Sequence, residues 1–201
     1  MVVAPTMCFG VSHHHLAFAG TLSLTTNQYL EAVKELVRCL YRHGVRQVVL
    51  LNGHGGNTVP NASVAQALVH EEGLPLAIGH APYWTVAARA LEEAGAAEIA
   101  PRFPGHAGGF ETSLLLALRP DLGALDKRRP PLATLDVIGH AAVHGNFARA
   151  GGTSDDASRA DAAAGKRLLD AAIGAVADYL VSFYERTRAF PTGEPPASSQ
   201  S

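Results

Sequence analysis

The sequence predicts an α/β fold in which a parallel sheet carries helices on both faces. Two observations lead there. Residues 47–51 hold the unalternated apolar run Val48-Val49-Leu50-Leu51, the pattern of a strand buried on both faces. Strand-like and helix-like segments also alternate along the chain, which argues for parallel strands joined by helical crossovers. At 201 residues the chain fits one domain with a sizeable core.

Residues 1–4 (MVVA) read as a short buried strand, broken at Pro5. Residues 8–20 (CFGVSHHHLAFAG) read as a loop with His13, His14 and His15 in a row. For His13 and His14 a solvent-facing placement is the plain reading. Residues 20–24 (GTLSL) alternate and suit a short edge strand. Residues 25–43 have strong helix signals. Thr25 and Gln28 stand at capping-box spacing, and Leu30, Val33, Leu36, Val37 and Leu40 form one apolar stripe. Gly44 provides the stop, and His43 suits the negative end of the helix dipole.

The 47–51 strand ends in Asn52-Gly53-His54-Gly55-Gly56-Asn57, and a helix follows over about 59–72 with Pro60 near its start. A Gly73-Leu74-Pro75 turn leads into a strand at 76–80. Residues 81–104 are Ala-rich and helical, with Trp84 just past the strand. Residues 102–109 (RFPGHAGG) are a glycine-rich loop. Residues 109–118 (GFETSLLLAL) are apolar almost all round, so this helix is expected at the centre, with Glu111 as its anomaly. Residues 120–144 form a proline-rich excursion and 151–156 a further loop. A helix over 159–186 presents Leu168, Leu169, Ala172, Ile173, Val176, Leu180 and Phe183. Residues 191–201 have the composition of a disordered tail.

Composition excludes several functions. The chain is 47% hydrophobic and 17% charged, with net charge −2, so nothing in it favours nucleic acid or an anionic membrane surface. Cys8 and Cys39 form neither a disulfide framework nor a zinc-knuckle spacing, which suits a cytoplasmic location.

Three features carry chemistry: His54 in NGHGGN, His106 in GHAGG, and Glu111 in GFETS. In open α/β sheets, ligands bind beyond the carboxyl ends of strands, where His54 falls. Histidine and carboxylate are donors for zinc, manganese or iron. A carboxylate aimed into an apolar core needs a positive partner, and a metal is one candidate. The plainer alternatives are a glutamate favoured at a helix N-terminus, a hydrogen-bonded strand-end histidine, and a phosphate cradle. The last lacks a P-loop lysine, and Thr58 stands where GxGxxG has its final glycine.

NGHGGN after a VVLL strand, followed by HAGGFETSLLLALRPDL, resembles the creatininase (creatinine amidohydrolase) family. FGVSHHHLAFAGTLSL resembles that family's glycine, serine, histidine and F-x-G-T pattern, with His15 at the matching histidine. Tyr83-Trp84 resembles a segment in which the tryptophan lines the substrate pocket. The resemblance implies a three-layer α-β-α sandwich with a mostly parallel sheet, over a single domain at 1–190. It implies a metal-dependent amidohydrolase that cleaves a non-peptide, cyclic C–N amide bond of a small molecule, and a homo-oligomer, typically hexameric. A metal-bound hydroxide is expected to attack the carbonyl. It makes His54 and Glu111 metal ligands, for zinc or manganese with iron as an alternative. His106 becomes the general acid/base. His15, Trp84, Gly55, Gly56 and Asn57 become substrate contacts.

Two departures qualify this. The family's first strand carries an E-x-H-G-x-H-L-P-x-x-T-D segment that supplies three further ligands, and no such segment stands in this chain; Met1 aligns with the family's second strand. The expectation is impaired activity. A misassigned start, a fragment and true degeneration all remain open, with a catalytically inactive creatininase-fold protein of structural or binding role as the alternative. Creatininase proper also has a glutamate where this chain has Gly56, and a tryptophan where Phe103-Pro104-Gly105 stand. Creatinine is therefore not the expected substrate.

Overall fold

The structure is a computed structural model that describes residues 1–101, 103–133 and 143–189. The expected tail at 191–201, and 134–142 of the proline-rich excursion, lie outside the described residues. The chain divides into two compact units. The first comprises Met1–His13, Leu22–Tyr83 and the C-terminal stretch from Asp178; the second comprises His14–Thr21 and Trp84–Ala177.

In the first unit, helix α1 spans Thr26–Arg42. The predicted capping box is present: Gln28 N–H donates to Thr25 Oγ1 at 3.2 Å, and Thr25 N–H donates to Gln28 Oε1 at 3.1 Å. Gly44, at φ 89°, ends the helix in the left-handed conformation that costs glycine least. The buried stripe is Tyr29, Val33 and Val37. Leu36 and Leu40, expected on it, are 59% and 38% exposed.

Strand β1 (Gln47–Asn52) pairs in parallel with β2 (Ala77–Pro82), Val48 opposite Ile78 and Val49 opposite Gly79. The crossover is helix α2 (Thr58–Gln66), which continues as a π-helical stretch at Ala67–Glu71. Tyr29, Val33 and Val37 of α1 join Val64, Leu68 and Leu76 in one core, against which Val48, Leu50 and Ile78 pack. Strand side chains alternate between faces, so Gly79 points the other way. A Cβ there would stand 2.8 Å from Tyr179 Oη and 3.1 Å from the Phe183 ring. Within this unit the layers therefore run helix, sheet, helix.

Three strand expectations need correction. Residues 1–4 form no strand, and Val2 and Val3 are 95% and 83% exposed. A strand exists only through a ladder partner, and among the described residues only β1 and β2 pair. Residues 20–24 also form no strand. Ser12 N–H donates to Ser23 Oγ at 2.7 Å, a side-chain oxygen competing for a group that a ladder would need. β1 is only partly covered, with Leu51 47% exposed, because each strand of the pair has one bonded neighbour among the described residues.

In the second unit the Ala-rich stretch is helical in short pieces: α3 (Tyr83–Val86, starting at the boundary), α4 (Ala88–Glu93) and α5 (Ala96–Ile99). Helix α6 (Gly109–Leu118) matches its predicted bounds. Its Phe110, Ser113 and Leu116 are buried while Leu118 is 59% exposed, so it is one-sided rather than central. A short helix α7 spans Asn146–Arg149, and α8 spans Ala162–Thr187, its residues from Asp178 belonging to the first unit. α8 buries Leu168 and Ala172 but leaves Ile173 59% exposed. Ser113 Oγ donates to Gly109 O at 2.6 Å and accepts Asp161 N–H at 3.0 Å; Asp161 Oδ1 in turn accepts Ala164 N–H at 2.7 Å.

α6 and α8 approach so closely that a Cβ on Gly165 would overlap the Ser113 carbonyl, whereas Gly174 faces open space. Gly165→Ala is expected to destabilise by about 1–3 kcal/mol through overpacking. Gly174→Ala is expected to stabilise by about 0.5–1 kcal/mol through helix propensity. Urea unfolding of the two variants beside the parent checks both signs.

Candidate active site

In the first unit the strand-end turn is built by Asn52, which is buried at the end of β1. Its Oδ1 accepts His54 N–H at 3.0 Å, and its Nδ2 donates to His54 O at 2.8 Å and Thr58 Oγ1 at 3.2 Å. The His54 backbone is thereby held across Gly53. The His54 Nε2 lies 3.0 Å from Val11 O and 2.9 Å from Ser12 Oγ. A carbonyl only accepts, so the Val11 contact assigns a hydrogen to Nε2, and in the neutral ring the lone pair then lies on Nδ1. Asn57 closes the other side: its Oδ1 accepts Val11 N–H at 2.9 Å. Gly10 has to be glycine here, since a Cβ would stand 2.6 Å from that oxygen. Asn57 therefore clamps residues 10–12 onto the turn. Gly55 and Asn57 bound a single 3-10 turn, and Gly55 faces open space.

A shallow hollow of about 370 Å³ in the same unit is lined by Val69, His70, Ile78, His80 and Phe183 among others. It includes none of the predicted site residues, and it has no chemistry that links it to them.

In the second unit the HAGG loop is held by the 151–156 loop. His106 N–H donates to Ser154 Oγ at 2.6 Å and His106 O accepts Ser154 N–H at 2.9 Å. Thr153 Oγ1 donates to Ala107 O at 3.1 Å, and Gly109 N–H donates to Asp155 Oδ1 at 2.7 Å. Ala107 sits at φ 49°, a left-handed conformation that strains a residue with a Cβ. Glu111 Oε2 accepts Ala107 N–H at 2.6 Å. The expectation that Glu111 aims into an apolar core is thus corrected. It stands in the first turn of α6 and reaches back to the loop, the arrangement that a helix N-terminus favours.

His15 and His106 come together. Their rings stack with centroids 4.2 Å apart and planes 12° apart. Phe147 of α7 stands nearly perpendicular to both, at 4.7 Å and 77° from His15 and at 5.2 Å and 87° from His106. His14 lies 4.0 Å from His15 and 5.0 Å from Phe147. His13 is exposed, with Nδ1 2.9 Å from Ser23 Oγ. Trp84 is half-buried in α3, directly after β2. Sequence reasoning missed Ser12, Asn52, Ser154, Asp155 and Phe147 as site partners. The serine, threonine and aspartate run at 153–156 signals turn chemistry, while Phe147 carries no sequence signal.

A metal needs converging donors. Among the described residues, no group of three or more His, Cys, Asp or Glu side chains is gathered for a cation. His54 Nε2 and Glu111 Oε2 are engaged in the contacts above. The donor set therefore does not fit a metal centre by itself, and no chemical step is derived through one.

The architecture and the two motif-bearing loops define a class of α/β protein with a histidine at a strand end and another in a loop before a helix. A model of the family described as "Creatininase: Creatinine amidohydrolase" matches residues 1–180, and the chain belongs to that family. It is 33% identical over 172 residues to a creatinine amidohydrolase of Pseudomonas putida, covering 80% of this chain and 65% of that protein. It is 31% identical over 175 residues to a mycofactocin precursor peptide peptidase of Mycobacterium tuberculosis, covering 86% and 62% respectively. The chain thus spans just under two thirds of the length of these relatives. A crystal structure of creatininase superposes with a TM-score of 0.68 at 30% identity, over 82% of this chain and 66% of the other. Solved creatininases of a Zn–Zn type and with Mn each superpose with a TM-score of 0.65, at 30% and 31% identity, over 82% of this chain and 67% of theirs. The creatininase fold is therefore shown for this chain.

The Glu111 bond to Ala107 holds a strained turn beside His106. Glu111→Ala is expected to cost about 1–2 kcal/mol, and Glu111→Gln, which keeps a carbonyl acceptor, less than about 1 kcal/mol. Urea titration checks the order; equal losses would mean that the acceptor is not what stabilises the loop.

Proposed function

We propose that this chain is an amidohydrolase that opens a cyclic, non-peptide C–N amide bond in a small molecule, with His106 as the group that delivers a proton to the leaving nitrogen. The observation that carries the reading is the state of His106: its backbone is held on both sides by Ser154, and its ring is stacked on His15. A general acid works only when its proton stays within hydrogen-bond reach of the leaving group, and a held ring meets that need. Membership of the creatininase family supports the same reading. His15, Trp84, Gly55, Gly56 and Asn57 remain the proposed substrate contacts. Asn57 acts at least in part by shaping its loop, since its oxygen is bonded to Val11.

We also propose that residues 1–190 act as one creatininase-like domain in a homo-oligomer, and that the reaction depends on zinc or manganese. His54 and Glu111 are the proposed donors on this chain.

The test is hydrolysis of creatinine, hydantoin, dihydrouracil and a short peptide by the purified protein, with and without added manganese or zinc. Turnover of a cyclic amide is expected, with creatinine a poor substrate. His106→Ala is expected to lower kcat by about 100-fold or more while the melting temperature stays close to the parent's. A protein that melts cooperatively and turns over none of the probes in either metal would instead be a creatininase-fold protein with a structural or binding role.

A further inference from the structure

We infer that Phe147 is a positioning residue that fixes the orientation of the His106 ring; its consequence for catalysis rests on the role proposed above for His106. The bonds from Ser154 hold only the His106 backbone. Among the described residues two rings pack against the imidazole: His15 lies against its face, and Phe147 stands across both imidazoles. The three centroids form a triangle with sides of 4.2, 4.7 and 5.2 Å. Stacked and perpendicular pairs are the favoured aromatic arrangements, so each contact has an orientation and not just a distance. A leucine of similar bulk would fill the space without imposing an angle.

Both neighbours of the His106 ring are themselves anchored. The His15 carbonyl accepts Thr21 Oγ1–H and Phe18 N–H, each at 2.9 Å. The Phe147 carbonyl accepts Gly152 N–H at 2.9 Å. Gly152, at φ 85°, adopts a conformation that suits glycine, and a Cβ there would stand 2.9 Å from the Phe18 ring. The 14–21 and 145–152 loops therefore interlock at Phe18 and Gly152, and this interlock sets the distance between His15 and Phe147. Among the described residues Phe147 contacts the imidazoles of His14, His15 and His106.

NMR of the full chain tests this without needing turnover. In the parent, NOEs are expected from the Phe147 ring protons to the ring protons of both His15 and His106. Their absence in a folded protein would overturn the placement whether or not the chain is an enzyme. In Phe147→Leu the His106 Cε1–H and Cδ2–H resonances should move through loss of the ring current, and in Phe147→Tyr they should stay near the parent's. With a cyclic amide that the parent turns over, Phe147→Leu should lower kcat by about ten-fold with KM little changed, and Phe147→Tyr should restore most of it. Unmoved His106 resonances in Phe147→Leu, or equal losses in the two variants, would overturn the inference. A parent inactive on every probe would remove the proposed function and leave the ring placement to be decided by the NOEs.

Discussion

A helix that begins in a glycine-rich loop leaves backbone N–H groups with no partner of their own, and the second unit is arranged around meeting that need. α6 starts at Gly109 after Gly108, which has no side chain to cap it. The partners come from elsewhere. Asp155 takes the Gly109 N–H from a loop 46 residues away, and Glu111 takes the Ala107 N–H from inside the first turn. Ser154 accepts the His106 N–H, and Thr153 donates to the Ala107 carbonyl. Satisfying these groups brings 153–155 against 106–109, and that contact in turn places His106. Gly109 is buried, and a buried unpaired N–H costs more than most single contacts gain, so its pairing with Asp155 is a requirement.

The first unit solves a similar problem with side-chain amides. Asn52 closes the turn after β1 by bonding both the N–H and the carbonyl of His54, and Asn57 N–H adds a backbone bond to the same carbonyl. Asn57 repeats the device on Val11. The glycines allow it: Gly10 gives Asn57 room, and Gly55 leaves open space beside the histidine. The motif NGHGGN therefore contains its own scaffold, with asparagines that hold and glycines that admit. The helices beneath it, α1 and α2 with its π-helical continuation, bury Tyr29, Val33, Val37, Val64 and Leu68 as a fixed base. Burial pushes the Tyr29 phenol above its usual range, partly offset by its bond to Asn61 at 2.9 Å, so the base also holds one polar pair out of water.

What can be read in the chain depends on the range of the interaction involved. The α1 cap, its Gly44 stop, the bounds of α6 and the strand character of the 47–51 and 76–80 segments follow from residues a few positions apart, and sequence alone determined them. So did the strand-end placement of His54 and the loop placement of His106, because glycine punctuation and apolar runs are local signals. Tertiary structure decided the rest. Residues 1–4 have every local mark of a strand and lack a ladder partner among the described residues. Glu111 looked out of place in an apolar helix until the Ala107 N–H was seen four residues back. The stacking of His15 on His106, and of Phe147 across both, joins three segments far apart in sequence. The physical reason is that periodicity and capping record what a segment needs from its neighbours in the chain. Which distant group meets a free backbone bond or covers a ring face is settled only when the chain is packed.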